Sequence, residues 1–307
     1  VAELELTLVA EGLEFPEGPV IMADGSVILT EIQGKRITRV QPDGSRSVVS
    51  ECGGGPNGLA IGPDGALYCT NNGGSFQFHL VNGINIPGPT PPDHKGGSIQ
   101  RIDIKTGEVT TLYTHAGDRV LNGPNDIVFD KQGGFWFTDH GTSHATYKTH
   151  GGLFYATPDG KSITCVRDHL ISPNGVGLSP DEKVVYIADT MTSRVWGFDI
   201  ESPGVLGTPE LAAMPGRVIA TLPDYQLLDS LAMEAGGKVC VATIINGGIT
   251  TFDPDGSTEH FPVPDLLVTN ICFGGADMRD AWITSSGTGR LYKCRWPRPG
   301  LKLNFNG

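Results

Sequence analysis

Six polar residues, Glu17, Asn57, Asn125, Asn174, Asp229 and Asn270, each open a short apolar run, and they recur at intervals of 40 to 68 residues. Two carboxylates among amides form an all-oxygen donor set of moderate negative charge. Such a set suits a hard or borderline divalent cation with positions left open for water and substrate. Without a cation, carboxylates crowded together would raise each other's pKa. A second row, Glu31, Asn71, Asp139, Asp189, Thr243 and Thr284, ends the following apolar run of each unit and is expected slightly further from the centre. Asn and Asp beside Gly are also common turn formers. The shared register favours a site, because a turn residue has no reason to become Glu in one unit and Asp in another at the same step.

The elements that must position these residues are repeats. Segments beginning at Pro16, Pro56, Pro124, Pro173, Leu228 and Thr269 share one grammar: a polar residue, a short apolar strand, a turn with Gly or Asp, and a second apolar strand. The turns Ala23-Asp24-Gly25 and Pro63-Asp64-Gly65 are hairpin signals. Most units continue into a second hairpin, as in Arg36–Val40 followed by Pro42-Asp43-Gly44. About four strands per unit predict an all-β fold, a six-bladed β-propeller with mostly four-stranded blades. It is expected to fill residues 1–307 as one domain, with blade-starting motifs near 17, 57, 125, 174, 229 and 270. A β-sandwich would not need six similar units. Rotation about a propeller axis brings equivalent residues to one channel mouth.

Composition fits this picture: of 307 residues 43 are Gly and 22 Pro, without a collagen-like period, and 38% are hydrophobic. A formal net charge of −12 argues against nucleic acid or an anionic membrane as partner and for a small molecule. No apolar run is long enough to span a bilayer, and Val1-Ala2-Glu3-Leu4 lacks signal-peptide character. The expectation is a cytoplasmic protein, monomeric or a small homo-oligomer, with removal of a presequence left open. The six cysteines form no C-x-x-C pair; Cys69, Cys240 and Cys272 lie in apolar runs and read as small buried hydrophobes.

Pro-Glu-Gly-Pro at 16–19, Asn-Asp at 125–126 with Phe-Trp-Phe-Thr-Asp at 135–139, Ser-Pro-Asn-Gly at 172–175 with Tyr-Ile-Ala-Asp at 186–189, and Asp229 before its strand resemble the gluconolactonase family, the SMP-30/luciferin-regenerating-enzyme group. The resemblance covers nearly the whole chain. It implies a propeller that hydrolyses a sugar lactone, such as an aldonolactone, to the hydroxy acid with one divalent cation on the axis, its identity open among Ca, Zn, Mn, Mg and Fe. Carried over, it implies Glu17, Asn174 and Asp229 as metal ligands, with Asn125 touching substrate or completing the metal shell. Asp229 is the candidate proton acceptor, as base, ligand or both, with Asn125 as its catalytic partner. Asn57, Asn125, Asp126, His140 and Asn71 are the candidate substrate contacts. The chain departs from the family pattern twice: Ser230 follows the fifth-unit Asp in place of Gly, and Gly123 stands where some members carry a sugar-binding Arg. Arg119 is a candidate substitute.

The stretch Ser75–Gly97, with four prolines, reads as a lid or pocket wall contributing Phe76, Phe78 or His79. His140 and His144 follow the rim residue Asp139 and could reach the mouth. Neither Ser143 nor Ser172 lies in a G-x-S-x-G elbow, against serine-hydrolase chemistry. Alternatives are a non-catalytic ligand-binding or scaffold propeller with a structural cation, or a related lyase or phosphotriesterase-like hydrolase on a non-sugar substrate; fold alone does not decide.

Overall fold

A computed structural model describes residues 3–209, 211 and 213–306. Six antiparallel sheets follow one another around an axis, each adding strands outward. Blade 1 runs Pro16–Ile21, Val27–Glu31, Arg36–Val40 and Arg46–Ser50; blade 2 runs Pro56–Ile61, Leu67–Asn71, Ser98–Ile102 and Val109–Tyr113. Blade 3 comprises Pro124–Phe129, Phe135–Asp139, Gly151–Ala156 and Ile163–Leu170. Blade 4 comprises Pro173–Leu178, Val184–Asp189, Arg194–Ser202 and Arg217–Thr221, with the short Val205–Leu206 also on its third strand. Blade 5 is built from Leu227–Met233, Val239–Ile244, Gly248–Phe252 and Thr258–Pro262. Blade 6 takes Val268–Gly274, Asp280–Ser285 and Arg290–Arg295, and its outer strand is Thr7–Ala10 from the start of the chain. That strand closes the ring, a role its sequence did not advertise.

The hairpin turns form as their residues dictate. Asp24 Oδ1 accepts the Ser26 N–H at 2.9 Å and Asp43 Oδ1 that of Ser45 at 2.9 Å, while Gly25 and Gly44 take φ of +82° and +83°. Apolar side chains fill the wedges between blades. Tyr68 of blade 2 meets Phe129 of blade 3 edge-on at 5.0 Å, and Phe261 of blade 5 meets Trp296 at 4.5 Å. Behind Trp296, buried Glu234 accepts its indole N–H at 2.7 Å and the Arg298 guanidinium at 2.6 Å, so this buried carboxylate is paired. All six cysteines are free; Cys69 and Cys240 are buried as expected, whereas Cys272 is partly exposed.

Candidate metal centre

Every innermost strand breaks its pairing register once near its start, at Glu17/Val20, Pro56/Leu59, Pro124/Ile127, Pro173/Val176, Leu228/Leu231 and Val268/Asn270. Such a bulge re-aims side chains, and it turns Glu17, Asn57, Asn125, Asn174 and Asp229 to the axis. These residues stand one position after the residue that pairs at or next to the end of the second strand: Pro16 with Glu31, Pro56 with Asn71, Pro124 with Asp139, Pro173 with Asp189 and Leu228 with Thr243. In blade 6 the corresponding pair is Val268–Ser285, so the equivalent residue is Thr269, not Asn270. The expected row is corrected there: Thr269 bonds Thr284 Oγ1 at 2.9 Å, and Asn270 occupies the next step, level with Asp126.

Threonines on the second strands fasten neighbouring blades at this level. Thr30 donates to Asn57 O at 2.6 Å, Thr70 to Asn125 O at 2.5 Å, and Thr138 to Asn174 O. The blades approach so closely that a Cβ at Gly58 would stand 2.7 Å from Asn125 O, and one at Gly175 would stand 2.6 Å from Leu231 N. Two residues before Glu17, Phe15 holds φ of +60°, a strained conformation for a bulky residue.

Glu17 Oε2 accepts from Gly18 N at 2.5 Å and Asn270 Nδ2 at 2.7 Å, while its buried Oε1 has no partner. Asn125 Oδ1 is likewise buried and unpaired. Asn174 donates through Nδ2 to Thr190 Oγ1 at 3.2 Å, and its Oδ1 lies 3.4 Å from the Ser230 hydroxyl. Asp229 is partly exposed. Asp126 is turned from the ring: its Oδ1 accepts Ile127 N at 2.9 Å and its Oδ2 accepts Val176 N at 3.0 Å, binding blade 3 to blade 4. Burial raises all three carboxylates. Glu17 is pushed well above its ordinary range by burial and then by Asp229. Asp229 is pushed up to about 7 by burial, with Asn174 opposing, and Asp126 up to about 7 by burial. No three His, Cys, Asp or Glu side chains form a cage by themselves among the described residues. Unpaired amide and carboxylate oxygens beside crowded carboxylates are nonetheless the donor chemistry that a hard divalent cation fits.

The remaining candidates are placed as follows. Asn57 is buried on the ring. Asn71 has its amide fully engaged: Oδ1 accepts Gly55 N and Gly73 N at 2.9 Å, and Nδ2 donates to Gly53 O at 2.9 Å and Gln100 Oε1 at 3.1 Å. Its geometry is that of a loop fastener with no group left for substrate. Asp139 does the same for Asn122, Gly123 and Gly141, and Glu31 for Glu14, Arg36 and Thr38. His140 has a shielded, unpaired Nδ1, and burial with nearby Lys148 holds its pKa well below the usual value, so the ring is neutral. Lys148, not anticipated from the sequence, donates to His140 O at 2.8 Å, and burial lowers its amine to about 8. His144 stacks on Tyr147 at 4.3 Å and bonds Thr142 Oγ1 at 3.0 Å. Arg119 is no substitute for the missing arginine: it pairs with Asp168 and lies 5.1 Å over the Phe154 ring. Gly123 has no room for a side chain, since its Cβ would stand 2.7 Å from Gly141 O.

The Ser75–Gly97 stretch contains a hairpin, Phe78–Val81 against Ile84–Pro87. Phe78 packs on Phe15 at 5.0 Å, Asn85 N donates to Gly287 O of blade 6 at 2.7 Å, and Thr90 N donates to Ser143 O beyond blade 3 at 2.7 Å. The insert from blade 2 therefore reaches blades 1, 3 and 6 on the mouth side. Phe76 and Phe78 form its seat, and His79 is exposed. Inside the channel, on the opposite side of the ring, a cavity of about 700 Å³ runs from Asp126 and Asn270 to the C-terminal residues Leu301–Asn304. Among the described residues no helix is long and apolar enough to cross a membrane.

Comparison with known proteins gives the same architecture and its relatives. The SMP-30/gluconolactonase/LRE-like region matches residues 15–287. A lactonase drp35 from Staphylococcus saprophyticus is 30% identical over 269 residues, covering 87% of this chain and 74% of the relative. A gluconolactonase from Xanthomonas campestris superposes with a TM-score of 0.74 at 24% identity, covering 96% of this chain and 90% of that one. A calcium-binding regucalcin from Agrobacterium tumefaciens does so with a TM-score of 0.74 at 17% identity, covering 98% of each. The chain belongs to the SMP-30/gluconolactonase/LRE-like family.

Proposed function

We propose that this protein is a lactonase that opens a cyclic ester to the hydroxy acid, with one divalent cation held by Glu17, Asn174 and Asp229. The observation that carries the reading is the pair of buried, unpartnered oxygens, Glu17 Oε1 and Asn125 Oδ1, set beside carboxylates whose charge is otherwise uncompensated. Family membership supports the reaction, and the calcium-binding relative from Agrobacterium puts calcium first among the cations to try. Bound there, the cation would polarise the ester carbonyl and make water more acidic.

The chain's own groups then do the following. Asn57 and Asn125 offer amide donors and acceptors to orient the ester. Asp229, partly exposed at the ring, takes the proton of the attacking water at a carboxylate oxygen. Water's oxygen bonds to the acyl carbon, the ring C–O bond breaks, and the proton ends on the departing ring oxygen as an alcohol. Asp126 holds blades 3 and 4 in position from below, and neutral His140 contributes no charge. The names of the relatives make an aldonolactone the first compound to assay.

The test is a pH-indicator assay over aldonolactones and unsubstituted five- and six-membered lactones, run with chelator and then with single added cations. Turnover that stops with chelator and returns with one cation is expected. Undiminished turnover in metal-free protein would overturn the metal assignment, and no turnover of any lactone would overturn the activity.

A further inference from the structure

Two observations at the mouth disagree with a polyhydroxylated substrate. First, three of the candidate grips on sugar hydroxyls are missing or engaged. Position 123 excludes any side chain because Gly141 O closes over it, and Arg119 is committed to Asp168 and Phe154. The Asn71 amide is wholly used by the backbone around it and by Gln100.

Second, most of the exposed large apolar side chains lie on the mouth side. In each blade the loop after the second strand and the loop leaving the outermost strand lie on the side where the ring residues begin. Among the described residues, ten of the sixteen large apolar side chains left exposed belong to these mouth-side segments. The lid hairpin supplies Leu80, 76% exposed, with Val81 and Ile86; the loop from blade 4 to blade 5 supplies Tyr225, 70% exposed, and blade 5 supplies Ile245 and Leu266. Exposed apolar surface gathered on one side of a protein marks a binding region. The lid is also anchored: Phe78 on Phe15 and Asn85 on Gly287 hold it over blades 1 and 6, with Phe15 two residues from Glu17.

We propose that the lid and rim select lactones that carry an apolar substituent, an alkyl chain on the ring, over polyhydroxylated ones. This rests on the lactonase reading. The ester would reach the axial oxygens while the chain lies along the lid and the blade 5 loops. Each methylene shielded from water adds favourable transfer energy, so kcat/KM should climb roughly fourfold per methylene until the apolar surface is covered.

The experiment measures kcat/KM of the cation-loaded protein on δ-valerolactone, on δ-lactones with 5-alkyl chains of increasing length, and on glucono-δ-lactone. The expected result is a rise with chain length, with the longer alkyl lactones preferred to the sugar lactone. Leu80→Asp and Leu266→Asp, both at exposed positions, should flatten the rise, whereas Val48→Asp on the outer strand of blade 1 should leave it intact. A flat or falling series, or a preference for glucono-δ-lactone, overturns the proposal while leaving the lactonase reading in place. If no lactone is opened at all, the lactonase reading fails and this one with it. If the two variants change the sedimentation of the protein and not the series, the apolar rim is a contact between copies and the proposal is overturned.

Discussion

The two faces of the disk are built on different rules. On the back face, strands reverse through Asp turns in which a carboxylate accepts a nearby N–H, as at Asp24, Asp43, Asp64, Asp159, Asp181, Asp255 and Asp277. Each of these carboxyls is held below its ordinary pKa, by hydrogen bonds to the turn or by an arginine. On the mouth side and the axis, Glu17, Asp126, Asp139, Asp189 and Asp229 are all raised, with burial the largest cause. Glu31 and Asp168, ion-paired to Arg36 and Arg119, are lowered on the mouth side, and Asp130 beside Tyr155 is raised on the back; these are the exceptions. The same residue type therefore favours the fold where water and amides reach it and opposes it where they do not. A carboxylate set where the fold alone does not favour its charge points to a ligand.

The contrast is open to attack at several points. The largest effect is expected from Asp229→Asn or Glu17→Gln, each lowering lactone kcat/KM by at least about a thousandfold, together with loss of cation binding measured by calorimetry. Retained activity in either would erase the distinction between the faces. Next, Gly58→Ala should lower unfolding free energy by about 1–3 kcal/mol, because its Cβ meets the neighbouring blade's backbone. Gly65→Ala, at a back-face turn with open space around it and φ of +75°, should lower it by about 1 kcal/mol or less, since only backbone conformation is at issue. Denaturant titration compares the two.

Cation-free protein should show the carboxylate contrast as a pH dependence. Asp126 and Asp229 rise from an ordinary 3.8 to about 7 on folding, so the folded chain binds more protons than the unfolded one between those values. Their contribution to stability falls as pH rises from about 4 to about 7. The back-face carboxyls act below that window, with stability lost as pH falls through their depressed values. Melting temperature should therefore decline from mildly acidic to neutral pH, and an added divalent cation should reverse the decline at neutral pH. A flat profile would show that the axial carboxylates are already compensated. The smallest effect is expected for Asp43→Ala: a slight drop in melting temperature and no change in kcat/KM.

What could be read from the sequence follows the same division. The back-face turns and the ring positions of the first five blades repeat, so their register was visible. In the sixth unit Thr269 and Asn270 are both polar, and only the pairing of Val268 with Ser285 shows which one is equivalent to the ring residues of the other blades. Asn71 was placed on the correct rim by strand period, but period does not reveal that two glycine N–H groups would claim its amide oxygen. The lid was legible as a long insert. Its seat on Phe15 was not, because that contact joins blade 2 to the entry of blade 1. The Thr7–Ala10 strand has no turn grammar, and its partner lies at the opposite end of the chain.

That terminal strand has a further consequence for assembly. Glu17 and Asn270, joined at 2.7 Å, face each other across the seam where the first and last blades meet. Asp229 is drawn from a third blade. The proposed cation set comes together only once Thr7–Ala10 has paired with blade 6, late in folding by the entropy of so long a loop. Cation affinity would then be a direct readout of ring closure, and shortening the chain before Thr7–Ala10 pairs should weaken it without touching a single ligand.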